Sequence, residues 1–179
     1  MPSNSTELFG LIAFFAFAAL VIHSLWQASK RVPPATDRLP AGVDGALLAV
    51  AGLAFLAGIY DAAAAALAYQ QIGEGGAWAA DHALEVDLAA QFALNAFGAA
   101  AFFWASLRLF FGRRGRVRAE AAAAVLLGGP VAEALSVLFL PGPLGADWFG
   151  WYALLCSGSL LALWVILRSR QSLNTYGGN

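Results

Sequence analysis

Five apolar runs divide this chain, and every cationic side chain falls at one set of alternate ends of those runs. The runs are 8–26 (LFGLIAFFAFAALVIHSLW), 45–69, 88–111, 119–140 and 148–167. At about 1.5 Å rise per residue, about 20 apolar residues carry a helix across a bilayer core, and each run meets that length. The breaks "VPPATDRLPAG", "IGEGGAW", "FGRRGRVR" and "PGPLG" hold the turn formers. Charged residues make up only 12% of the chain, half the roughly 25% of a soluble domain. The pattern predicts an all-α fold: one integral membrane helical bundle, residues 1–179, with five transmembrane helices.

Charge orients the bundle. Five spans place the first linker, the third linker and the C-terminal tail on one side. That side receives Lys30, Arg31 and Arg38, then Arg108, Arg113, Arg114, Arg116 and Arg118, then Arg168 and Arg170. Glu7, Glu74, Asp81, Glu85, Asp87 and Asp147 fall on the other side, with no Lys or Arg. The positive-inside rule then puts the N-terminus outside and the C-terminus in the cytoplasm of an inner, cytoplasmic membrane. A four-span or six-span count scatters this segregation. The leader "MPSNSTE" has no basic residue and positive charge follows the first run, the reverse of a secretory signal. One lysine against nine arginines, among many Ala and Gly, is compatible with a GC-rich bacterial genome.

Several chemistries are excluded or unsupported. Cys156, the single cysteine, rules out an intrachain disulfide and any multi-cysteine site, and the ligand spacings of zinc or Fe–S centres are absent. His23 and His82 fall on opposite sides, so the pair cannot ligate one haem within a subunit. The "GRRGRVR" cluster sits directly between two spans, where topology and attraction to anionic lipid headgroups account for it better than nucleic acid does. No internal repeat supports an inverted-repeat transporter.

Four polar residues lie well inside the spans: Asp61, Gln91, Asn95 and Glu133. An ionised Asp at a helix centre costs about 2.5–3.5 kcal/mol to insert, so such residues are expected to face the bundle interior and find partners. Counting inward from Tyr69, Leu88 and Leu140 puts Asp61, Asn95 and Glu133 roughly 10–12 Å below the outer boundary. Their helical faces are rich in Ala and Gly, which lets helices approach closely. One outer-leaflet polar cluster is the expectation, with Tyr60, Tyr69 and Tyr152 at its rim. Asn95, Gln91 and Glu133 are the candidate hydrogen-bonding partners of Asp61. In "LLGGPVAEAL", Gly128, Gly129 and Pro130 mark a candidate hinge, or a plain packing kink.

The 70–87 segment, with Trp78, Leu84 and Val86, is expected as an external linker holding an interfacial helix. Trp148 and Trp151 fit an outer aromatic belt. The leading functional expectation is a non-enzymatic membrane protein whose carboxylate and amide cluster binds or transports a small ligand, proton or cation. Two alternatives are an accessory subunit of a larger membrane complex, with the cluster structural, and a membrane enzyme acting on a lipid or isoprenoid by carboxylate acid–base chemistry. Expected partners are membrane lipids, further copies of the chain or a larger membrane complex, and no nucleic acid. Any cofactor is left undefined.

Overall fold

The computed structural model describes residues 5–35, 41–74, 82–139 and 146–177, and all regular structure among them is helical. Helix α1 spans Ser5–Ser29, α2 Gly45–Glu74 and α3 His82–Phe111. Helix α4 (Arg116–Leu126) passes through a π-helical turn at Leu127–Val131 into α5 (Ala132–Phe139). Helices α6 (Ala146–Arg168) and α7 (Arg170–Tyr176) complete the chain. Five helical segments are long and apolar enough to cross a membrane: Ile12–Ser29, Gly45–Ile72, Val86–Phe111, Arg116–Leu138 and Trp148–Arg168. Helices are the solution an open chain has in hydrocarbon, because each backbone N–H and C=O must find its partner within the segment.

The most extensive helix pair is α2 with α3. On α2 a seam of small residues recurs at three- and four-residue steps: Ala51, Ala54, Gly58, Asp61, Ala65 and Ala68. All but Asp61 are buried. That spacing keeps one face against the neighbour, and small side chains draw the backbones together. At Gly58 an added Cβ would meet the Phe103 ring at 2.9 Å, so the ring occupies the space a side chain would need. Helix α1 is peripheral, with Phe14, Phe15, Phe17 and Leu20 exposed.

The polar end of the bundle gathers four segments that are far apart in sequence. Arg113 donates to Phe110 O (2.9 Å) and Gly112 O (2.6 Å) at the end of α3, and to Ser29 O (3.0 Å) at the end of α1. Arg118 reaches the Ile166 carbonyl at 3.3 Å and also that of Leu167, at the end of α6. The last carbonyls of a helix lack intrahelical donors, and a cation there also complements the helix dipole. At the start of α2, Asp44 accepts from the Trp26 indole N–H at 2.9 Å, which ties α1 to α2.

Helix α7 falls in the C-terminal tail, where no element was expected. Ser169 caps it, its hydroxyl accepting from the Ser172 N–H at 3.1 Å. Thr175 Oγ1 accepts from the Gly42 N–H at 2.9 Å, and the Ala35 N–H donates to Thr175 O at 3.0 Å. Tyr176 is 1% exposed, and its hydroxyl donates to the Leu109 carbonyl in the last turn of α3. The tail is thereby a plug in the base of the bundle. Residues 70–74 of the linker belong to α2 and 82–87 to α3, so Leu84 and Val86 continue the third helix; Trp78 lies outside the described residues.

Burial pushes the Tyr176 phenol up from its ordinary value of 10.0, and the Arg113 charge opposes this more weakly. The folded protein therefore keeps this proton where the unfolded chain loses it. Stability from Tyr176 is complete below pH 10 and is lost as pH rises beyond it. Melting curves in detergent should show a fall in Tm above pH 10 that Tyr176→Phe reduces. At neutral pH the same substitution should cost about 1–3 kcal/mol, because it leaves the Leu109 carbonyl unsatisfied.

Candidate functional site

Asp61 occupies a position in the α2 seam that Ala or Gly fills elsewhere, so its carboxyl is directed at α3. It finds room there because residue 98 is Gly. A Cβ added to Gly98 would meet Asp61 Cγ at 3.2 Å and the Gly128 carbonyl oxygen at 3.4 Å. The reciprocal holds at Gly128, whose added Cβ would meet Ala101 Cβ at 3.0 Å and the Gly98 carbonyl oxygen at 3.2 Å. Two glycines thus cross backbone to backbone, with the Asp61 carboxyl lying over the crossing.

The partner of Gly98 belongs to the π turn. Pro130 has no N–H to continue the α-helical ladder, and its ring crowds the carbonyl four residues before it. A π turn relieves this by widening one turn of the helix; such turns are a recognised cause of kinks and are frequent at functional sites. Tyr152 Oη lies 3.4 Å from the Pro130 carbonyl oxygen. The break in the span is therefore a π turn with a proline inside it.

Past this turn, Glu133 projects from the first turn of α5. Its Oε1 accepts from the Trp148 indole N–H at 3.0 Å. Trp148 also stacks on Tyr152, with ring centroids 4.9 Å apart and planes at 9°. The two rings are four residues apart on α6 and so share one face. Ser136 turns its hydroxyl to the Glu133 carbonyl at 2.7 Å.

Between α2, α3, the π turn, α5 and α6 lies a cleft of about 560 Å³, within the usual size of small-molecule sites. Tyr60, Asp61, Gln91, Asn95 and Glu133 all line it, as do Gly128 and Gly129. Tyr60 is 72% exposed and stands at the rim. The other two rim tyrosines are elsewhere: Tyr69 packs on Phe92 with centroids 5.9 Å apart, and Tyr152 is engaged with Trp148 and Pro130. Among the described residues, no Lys, Arg or His lines the cleft.

One expectation needs correcting. Asn95 and Gln91 share the cleft with Asp61, but neither is hydrogen-bonded to it. Asp61 and Glu133 are within electrostatic reach of each other, while the close neighbour of the Asp61 carboxyl is the glycine crossing. The small residues bring α3 near without supplying a donor.

Two aromatic residues at the candidate site escaped the sequence reading. Trp148, expected in a membrane belt, is the hydrogen-bond donor to Glu133, and Trp151 lines the cleft. Their spacing with Tyr152 and Leu155 on one helical face was the available signal. Belt aromatics occupy the same depth, so the spacing alone does not separate the two roles. His23 stands on exposed α1, its ring 3.4 Å from Gln27 Nε2 and remote from the cleft.

The two crossing glycines should respond differently to Ala. In Gly98→Ala the new methyl meets a carboxyl at the movable end of a side chain, so Asp61 swings aside and the bundle holds. In Gly128→Ala it meets a Cβ and a backbone carbonyl, and the expected cost is about 1–3 kcal/mol. Thermal denaturation of the purified variants compares them directly. No family model matches this chain, and no curated protein or solved structure is detectably similar to it.

Proposed function

We propose that this five-span protein sits in the cytoplasmic membrane with its N-terminus outside, and that its cleft binds and passes a proton or small cationic ligand. The observation that carries this reading is the lining of the cleft: two carboxylates and two amides with no cationic side chain among the described residues. A purely structural cluster would spend its polar groups on one another. Here Asp61 and Asn95 make no hydrogen bond among the described residues, which leaves their oxygens and the Asn95 amide N–H groups for a guest. Intramembrane acids that face an internal cavity mark ion and proton paths.

Mechanistically, a cation entering the cleft displaces a proton from Asp61 or Glu133, and reprotonation releases it. The indole of Trp148 holds the Glu133 carboxyl in place during the exchange. Gly128, Gly129 and Pro130 form the flexible element, because a π turn can shift its hydrogen-bond register without breaking the helix. An enzymatic reading finds less support. Ser136, the one hydroxyl nucleophile of aliphatic type in the lining, is committed to the Glu133 carbonyl.

Proteoliposomes carrying a trapped pH-sensitive dye test the mechanism. An inward gradient of Na⁺, K⁺ or methylammonium should drive proton efflux through the wild-type protein. Asp61→Asn and Glu133→Gln should each reduce it to the rate of protein-free vesicles. Wild-type flux in both variants would falsify the exchange. Orientation is checked separately, in a Cys156→Ala background. Ser5→Cys should react with an impermeant thiol reagent in intact cells, and Arg114→Cys only after permeabilisation.

A further inference from the structure

A second opening adjoins the cleft. It is a groove of about 360 Å³ between α2 and α6, and it shares Leu53, Ala57, Phe102, Trp151 and Leu155 with the cleft. The two helices run in opposite directions. The groove follows α6 from Trp151 to Ala162 and α2 back to Val50, about 16 Å at 1.5 Å per residue. Its walls are almost wholly apolar. Leu53, Leu154 and Leu161 on its edge are 65%, 65% and 64% exposed, so it opens sideways, toward the lipid.

We infer that the ligand is an amphiphilic cation, with an ammonium head between Asp61 and Glu133 and a single apolar chain in this groove. The inference rests on the cation reading of the cleft and adds the class of molecule. Charge selects the head: two carboxylates with no lining cation repel a phosphate or carboxylate and attract an ammonium. Trp151, at the junction of cleft and groove, offers an aromatic face of the kind that receives quaternary ammonium groups. Shape selects the chain, since a small inorganic cation would leave the continuous groove empty.

Ser159 is an independent observation inside the groove. It is 7% exposed and lines the apolar wall. Ser24 and Ser157 turn their hydroxyls to the carbonyl one turn earlier, both at 2.8 Å. The Ser159 hydroxyl makes no hydrogen bond among the described residues. Its oxygen is not sealed off, since the buried hydroxyl without a partner among the described residues is that of Ser106. An acceptor on the ligand chain, such as an ester carbonyl, would give this hydroxyl a hydrogen bond that the apolar wall does not supply. The preferred guest therefore has an ammonium, an acceptor partway along, and an apolar tail, and it enters laterally from the bilayer.

Calorimetric titration of the full-length protein in nonionic-detergent micelles, against protein-free micelles, tests this with three probes. Lauroylcholine carries head, acceptor and chain; choline carries the head alone; laurate carries the chain with the wrong charge. Lauroylcholine should bind tightest, choline weakly, and laurate should not compete. Gly158→Leu fills the groove, and a Cβ added there meets nothing within 4 Å, so the fold tolerates it. This variant should weaken lauroylcholine about tenfold or more and leave choline unchanged. Gly150→Leu, in open space outside the groove, should alter neither. Unchanged lauroylcholine affinity in Gly158→Leu, equal competition by laurate, or binding of choline alone overturns the amphiphile and leaves the cation cleft standing. If neither cation binds, or the Asp61→Asn/Glu133→Gln double variant binds both as before, both readings fall.

Discussion

The crossing of Gly98 over Gly128 is the contact on which the upper half of the bundle depends. Each glycine leaves room for the other's carbonyl: a Cβ on Gly128 would press on Ala101 and on the Gly98 carbonyl within 3.2 Å, and one on Gly98 would reach the Asp61 carboxyl. Because α3 and the π turn meet there, the Asp61 carboxyl can lie across the junction and Glu133 can stand beyond it. Membrane helices have no hydrophobic force between them, so close packing of small residues must do much of the work of association. Space that water would close in a soluble core can remain here as a cleft.

The other end of the molecule is held by polar contacts. Helices α1, α3 and α6 all finish there and present unpaired carbonyls, which Arg113, Arg118 and Tyr176 collect. The arginines that mark topology in the sequence therefore also cap helices. The cationic end of the bundle is the end where those three helices terminate, with their dipoles pointing negative end outward. The result is a hydrogen-bonded base beneath a cleft-bearing half.

Much of the candidate site was legible before any coordinates. Asp61, Asn95 and Glu133 were brought to one level by counting residues, since rise per residue is fixed in a helix, and with Gln91 they line one cleft. Their pairing was not legible. The expected Asp61 amide bond is absent, and Glu133 is bound instead by Trp148 from α6, an indole 15 residues further along. Helix α7 was missed because seven residues with a polar composition resemble any tail until Tyr176 has a socket to enter. The π turn was visible only as Gly-Gly-Pro, which also describes an ordinary kink.

What the sequence determined by itself was the all-helical class, the number of helices long and apolar enough to span a membrane, and which linkers share an end of the bundle. Hydrocarbon enforces these locally: it admits a helix of set length and keeps charge at the ends. Only the tertiary structure decided which faces meet, and so which donor reaches Glu133, why Asp61 is left without one, and where cleft and groove join. The physical reason is that these helices are apolar on nearly every side. Lipid and core look alike to such a surface, and rotation about each helix axis is settled by contacts between helices, here by two glycines and a proline.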